Sequence, residues 1–367
     1  VALTEIVILA IALVYLVLKI KTFPNIMPPF FFLVFMICMF LYVSFLNEHF
    51  FPKAPRDMVL VAAFFMVGGT VTQQGLFMSF RFMTVMVFLF MVVEGWMTDL
   101  YVTLFEPALY YANTRGIEQL DVDESGLFRN SLGYAGRFSF GIFNTHRLSS
   151  LFLEQVSLAN FSTILAIFLS TFWGKLSKWD RILYAVTPVF IILTTSSRTA
   201  SILCSLILIG HFVFPLLPRY AHMLAMPAIL VTAALLFYDP NMGDTLESDD
   251  LRGRIGHTMG ILAKLGTGYF TGGTRPQIFK TGDSGFAYIV MTQTVFGLLV
   301  FWLFCSVVVP PTNASNKRFD HGMAVYVFTN LLIGAAIFSI KVSAPLWIIA
   351  GYLAHERYRD KTGTAHG

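Results

Sequence analysis

Five arginines stand out because of what surrounds them. Arg147 (THRLSS), Arg198 (SSRTA), Arg252 and Arg254 (LRGRIG) and Arg275 (GGTRP) each lie at the edge of long apolar runs or between them. A guanidinium is planar and always charged, and its donors match phosphate oxygens two at a time. Holding such a charge in the middle of a bilayer costs roughly 2.5–3.5 kcal/mol on insertion scales and less near an interface, so it is expected to face a cavity or a partner. Several guanidiniums at one membrane face suit a diphosphate headgroup. The plainer accounts are a lipid-headgroup anchor or a structural Arg–Glu pair, with Glu154 two turns beyond Arg147 as the acid.

Three residues are candidates to move a proton. Asp283, in GDSGF, stands at the mouth of an apolar run, where it could accept a proton or simply cap a helix. His257 is the rival, because it shares a helical face with Arg254, and Glu154 ranks third. The glycines of GTGYFTGGTRP resemble a phosphate-cradling loop, but no Gly-Lys-Ser/Thr follows, so this is not a nucleotide site. No His-Glu-x-x-His, paired-carboxylate or Gly-x-Ser-x-Gly pattern is present, and neither metal nor cofactor is expected. Cys38, Cys204 and Cys305 lie far apart inside apolar runs and are expected to be buried, inert thiols.

The elements that must position these groups are membrane helices. The chain is 56% hydrophobic and 13% charged, with 38 Phe, which excludes an ordinary soluble domain. A transmembrane barrel would show short alternating segments instead. The expectation is an all-α, polytopic transmembrane helical bundle of about eleven or twelve spans, forming one membrane domain over 1–367 with no soluble domain and no internal repeat. The spans are expected at 3–18, 30–46, 58–70, 82–93, 151–173, 182–193, 200–217, 223–238, 286–309, 323–338 and 342–354. Several are short and need tilt.

Basic residues orient them. Lys19, Lys21, Arg81, Lys175, Lys178, Arg181, Arg219, Lys317, Arg318, Arg357, Arg359 and Lys361 all fall on one side, taken as cytoplasmic. That puts the N-terminus outside and leads to the expectation of a helix preceding the sequence. No cleavable signal is expected, since no basic residue precedes the first run. Segments 94–150 and 239–285, the turn 194–199 and Lys341 then share the outer side. Within 94–150, the aromatic stretch 100–111 is too short to span and is broken by Glu106-Pro107, so it reads as interfacial or re-entrant.

The 239–285 loop is polar and glycine-rich and carries a short helix at 250–265. Asp249 and Asp250 suit its start, and Lys264 and Gly266 its end. Leu251, Ile255, Met259 and Leu262 make an apolar stripe, while Arg254, His257 and Lys264 make a polar one. The alternative is a solvated amphipathic helix lying on the membrane.

This pattern resembles the Wzy-type polysaccharide polymerases and the related O-antigen ligases of bacterial inner membranes. The likeness covers roughly 136–305: Arg147 before a helix in RLSSLFLEQ, Ser-Arg-Thr in a tight outer turn, a large outer loop with RGR and then GTG, and a following helix GFAYIVMTQTVFGLLVFW containing Gly297. The family's ligases carry a His where Asp283 stands, which tilts away from a ligase. The resemblance implies a multi-pass protein of the bacterial inner membrane with its active site facing the periplasm. It implies glycosyl transfer between undecaprenyl-diphosphate-linked oligosaccharides, donor to acceptor, with membrane lipid around them and no metal, nucleotide or nucleic acid. A flippase and a chain-length regulator are the implied partner proteins. Arg147, Arg198 and Arg254 would hold the diphosphate with Arg252 or Arg275 in support, and Asp283, then His257, then Glu154, would serve as base. A ligase with another acceptor is one alternative. A transporter or flippase for an anionic lipid or solute is the other, and it would show related halves and interrupted helices.

The orientation has a direct test. Cysteines placed at Ser248 and at Ser177 are expected to react with a membrane-impermeant reagent from opposite sides; reaction from the same side would sink the assignment.

Overall fold

The computed structural model describes residues 2–19, 26–115, 126–127, 131–132, 139–142, 146–238, 251–264, 266–273 and 284–362. Among them every regular element is a helix, and Leu132 and His146 form an isolated antiparallel bridge. In chain order the helices are α1 (Ala2–Lys19), α2 (Met27–Leu46), α3 (Lys53–Thr70), α4 (Gln73–Trp96), α5 (Thr98–Phe105), α6 (Pro107–Arg115), α7 (Gln155–Phe172), α8 (Lys178–Thr195), α9 (Arg198–Val213), α10 (Ala225–Phe237), α11 (Leu251–Ala263), α12 (Gly268–Thr271), α13 (Gly285–Val307), α14 (Ala314–Ile333) and α15 (Ile340–Thr362).

A helix stands at each expected span. Five are long and apolar enough to cross a membrane: α2, α4, α7 with its 3-10 extension to Lys175, α9 with its extension to Leu216, and α13. Many of their outward residues are large and apolar, including Phe30, Phe31, Leu41 and Phe45 on α2 and Phe82, Val85 and Leu89 on α4. Such a surface suits hydrocarbon and not water.

Helix ends depart from the expected spans wherever a polar residue caps a backbone N–H. Thr72 accepts from Gly75 N at 3.1 Å, so α4 begins well before Phe82 and Arg81 lies inside it, not in a loop. Ser177 accepts from Asp180 N at 3.2 Å and donates to the Asp180 carboxylate at 2.7 Å. Asn313 caps α14 in the same way at 2.8 Å. Each side chain satisfies a donor the first turn would otherwise leave open. The aromatic stretch 100–111 falls in two short helices, α5 and α6, parted at Glu106 in a left-handed conformation (φ 41°).

The chain forms two compact units. The first comprises residues up to Ile11 together with Thr72–Ile209. Its interior is aromatic: Phe80 stacks on Phe168 at 4.1 Å, and Tyr184 meets Phe168 edge-on at 5.2 Å. At one end Arg81 forms a two-pronged ion pair with Asp180 (2.7 and 2.8 Å). That bond holds the Asp180 carboxyl below the usual carboxylate range. Arg81, counted above as an orienting loop charge, is neutralised there.

The second unit comprises Ala12–Val71 and Gly210 onward. Its tightest packing joins α3 to α15, where a Cβ on Gly351 would overlap the Phe65 carbonyl and one on Gly68 the Ile348 carbonyl. Phe32 of α2 stacks on Phe304 of α13 at 4.3 Å. Helix α11 packs against α10, α13 and α14, and Gly253 with Ile255–Gly260 is buried. The expected polar stripe is therefore corrected: His257 is inside, and α11 is not a solvated surface helix. The cysteine expectation holds for Cys305, whereas Cys38 is exposed on α2 and Cys204 is half-buried.

Replacing Gly351 with Ala is expected to lower stability by about 1–3 kcal/mol, the usual cost of overpacking. Thermal unfolding of the purified protein in lipid nanodiscs reads the loss, and an unchanged midpoint would contradict this α3–α15 packing.

Candidate functional site

The end of the first unit holding the break between α4 and α5 collects the polar residues of interest. Helix α4 closes with Val-Val-Glu-Gly-Trp, and Glu94 is turned inward and 1% exposed. Its carboxylate accepts from Ser149 N at 2.8 Å, from Ser149 Oγ at 2.9 Å and from Ser150 N. Tyr101 of α5, fully buried, donates to the Ser150 carbonyl at 2.8 Å and lies 2.9 Å from Ser149 Oγ. Ser150 Oγ donates to the Val87 carbonyl at 2.8 Å. The segment 146–150 is thus pinned to α4 and α5 by both its backbone and its hydroxyls.

Arg147 rides on that segment. Its backbone N donates to Ser131 O at 2.7 Å, and the next residue's N reaches Thr194 O at 3.3 Å. Thr194 is in the last turn of α8, just before the tight turn in which Ser196 is left-handed (φ 52°) and Arg198 opens α9. Ser197 caps that start, accepting from Ala200 N at 3.2 Å. Arg147 and Arg198 therefore lie on two segments bonded to each other at one end of one unit, Arg147 half-buried and Arg198 exposed. His146 beside them is buried, which lowers its pKa and favours the neutral ring.

Glu154 is at the same end, but not inside a span. It is the residue before α7, extended, and its carboxylate accepts from Ser157 Oγ at 2.7 Å. The chain turns through a 3-10 segment and a left-handed Leu153 (φ 55°) before α7 starts, so Arg147 is separated from that helix by a bend.

The remaining candidates belong to the second unit. On α11, Arg252 is exposed, Arg254 half-buried and His257 5% exposed with neither ring nitrogen hydrogen-bonded. Thr258 Oγ1 donates to the Leu332 carbonyl at 2.7 Å, tying α11 to the end of α14. Asp283 and Arg275 lie outside the described residues. The cap of α13 is Ser284, whose Oγ accepts from Ala287 N at 3.2 Å.

Two clusters were not found from sequence. One is the Glu94–Tyr101–Ser149–Ser150 set, whose only signal was a lone acid at the end of an apolar run. The other is Asp57, fully buried, which takes Arg56 Nε and Nη2 on Oδ1 (3.0 and 2.8 Å) and the Tyr288 hydroxyl on Oδ2 (2.8 Å). Lys53 stands 5.3 Å over the Tyr288 ring. These cations sit at the end of the second unit where α13 begins, and their signal was the KAPRD start of α3.

Comparison of the chain with family models, with curated proteins and with solved structures gives no match.

Glu94→Gln keeps the shape but turns one oxygen into a donor facing donors. The expected result is a loss of roughly 1–3 kcal/mol with faster hydrogen exchange at Ser149 and Ser150. Unchanged exchange there would show that the carboxylate does not hold the segment.

Proposed function

We propose that this chain is a membrane glycosyltransferase of the Wzy polymerase type, extending an undecaprenyl-diphosphate-linked glycan at the periplasmic face of a bacterial inner membrane. The observation that carries the reading is the pairing of Arg147 and Arg198 on two segments bonded to each other, next to a surface fit for lipid. Two guanidiniums on fixed backbone favour an anion with several oxygens. As the glycosidic bond breaks, negative charge grows on the departing diphosphate, and donors already in place stabilise it without reorganising. On the second unit, the same reading gives Arg254, with Arg252 and Arg275 in support, to anion binding.

The acceptor hydroxyl must lose a proton. Asp283 is the first choice of base because a carboxylate at the mouth of α13 can meet a sugar from the loop side. His257, buried, reaches a substrate only if α11 moves, which ranks it second. Glu154 already accepts from Ser157 and ranks third.

A second reading has one observation behind it. Helix α13 is interrupted at Thr294, and interrupted helices are a transporter feature. A flippase would move the lipid-linked glycan across vesicles without lengthening it.

Arg147→Ala, Arg198→Ala and Arg254→Ala are each expected to abolish polymer while the protein stays in the membrane. Lys at these positions rescues in part, since a point charge cannot reproduce the fork. Asp283→Asn is expected to cut transfer by about 10²–10⁴-fold, with His257→Gln mild; the reverse pattern moves the base to His257. Normal polymer length from all three alanine variants would refute the proposal.

A further inference from the structure

Two neighbouring features of α13 work against its own stability. Gln293 is fully buried, and neither its amide nitrogen nor its amide oxygen has a hydrogen-bond partner. Thr294 holds φ 63° and ψ 175°, a backbone region that is essentially glycine's alone. The Thr294 hydroxyl then accepts from Phe296 N at 3.2 Å, as a cap does at the start of a helix. Helix α13 therefore ends at Gln293 and begins again, and carbonyls at a helix end lose their intrahelical partners. A helix selected for stability alone would keep neither feature, and together they mark a site.

The turn after α12 covers this break. Gly272 is left-handed (φ 76°), and a Cβ on it would stand 3.3 Å from Thr294 Cγ2 and 3.1 Å from Val43 Cγ2. Its carbonyl accepts from Asn47 Nδ2 at 2.7 Å. The backbone itself is seated on the break, and one side chain ties it there.

We propose that the break at Gln293–Thr294 is a ligand site, closed in this structure by the Gly272 turn, and that it takes a neutral hydroxyl-bearing group, a sugar residue of the glycan. The choice of a sugar rests on the reading of function above. The chemistry follows from the amide: a cation would satisfy only its oxygen and an anion only its nitrogen, whereas a hydroxyl both donates and accepts. Gln293 is two turns into α13, about 12 Å along the axis from Gly285. A glycan entering from that end reaches it once the turn lifts.

The test uses the full chain in nanodiscs with two probes, undecaprenyl diphosphate alone and the same lipid bearing one oligosaccharide repeat unit. Gln293→Leu is expected to raise the melting temperature, because an apolar group replaces an unpaired amide. It is expected to leave binding of the bare lipid unchanged and to weaken binding of the repeat-unit lipid about tenfold. Asn47→Ala, which frees the Gly272 turn, speeds release of the repeat-unit lipid only. Three outcomes overturn the site alone: equal binding of the two lipids by the wild type, unchanged preference in Gln293→Leu, or a lowered melting temperature with both lipids weakened equally. Unchanged release in Asn47→Ala overturns the cover. A wild type that binds neither lipid removes the glycosyltransferase reading and the sugar site with it.

Discussion

A backbone N–H or C=O turned toward hydrocarbon has no water to bond, so it must find its partner within the protein. With Phe30, Phe45, Phe82 and Leu208 on its outside, this chain lives under that constraint. It accounts for the exclusively helical architecture among the described residues. It also accounts for the hydroxyl or amide that caps α4, α8, α13 and α14. Where the chain leaves regular helix near the end of α4, a carboxylate and a phenol take over the bonding. Glu94 and Tyr101 do for residues 149–150 what a helix would otherwise do.

The same constraint makes exceptions informative. Polar groups without partners are rare in native interiors, and the amide of Gln293 is one, beside the strained backbone of Thr294. The ion pairs follow a different logic. Arg81–Asp180 is half in solvent, where such pairs add little to stability, and it fixes how α4 meets α8. Asp57 is fully buried with Arg56 and Tyr288 on its oxygens, and removing any one partner would leave a buried polar group unmatched.

Glycine supplies the close approaches. Gly68 and Gly351 let α3 and α15 meet backbone to backbone, and Gly285 brings the start of α13 against the Gly334 carbonyl. Small residues at helix contacts are how packing compensates when lipid is as apolar as the core. Helix α11, though it carries arginines and a histidine, packs against α10, α13 and α14 in the second unit.

Composition and run length by themselves determined the helical class, the presence of a helix at each expected span and the short helix within 239–285, because each depends on local hydropathy and capping. The outlying arginines were legible for the same reason: a charge beside an apolar run is visible without knowing its neighbours. Tertiary structure alone decided which of their segments bond: Leu148 N donates to the Thr194 carbonyl, which joins the stretches carrying Arg147 and Arg198, far apart in sequence. Glu94, Asp57 and Gln293 were equally hidden, since an acid or amide is unremarkable until its burial and partners are known. Periodicity placed His257 on a polar face, but α11 packs against α10, α13 and α14 and His257 is buried. Which face of a helix is buried depends on what packs against it, and a single strand of sequence does not contain that.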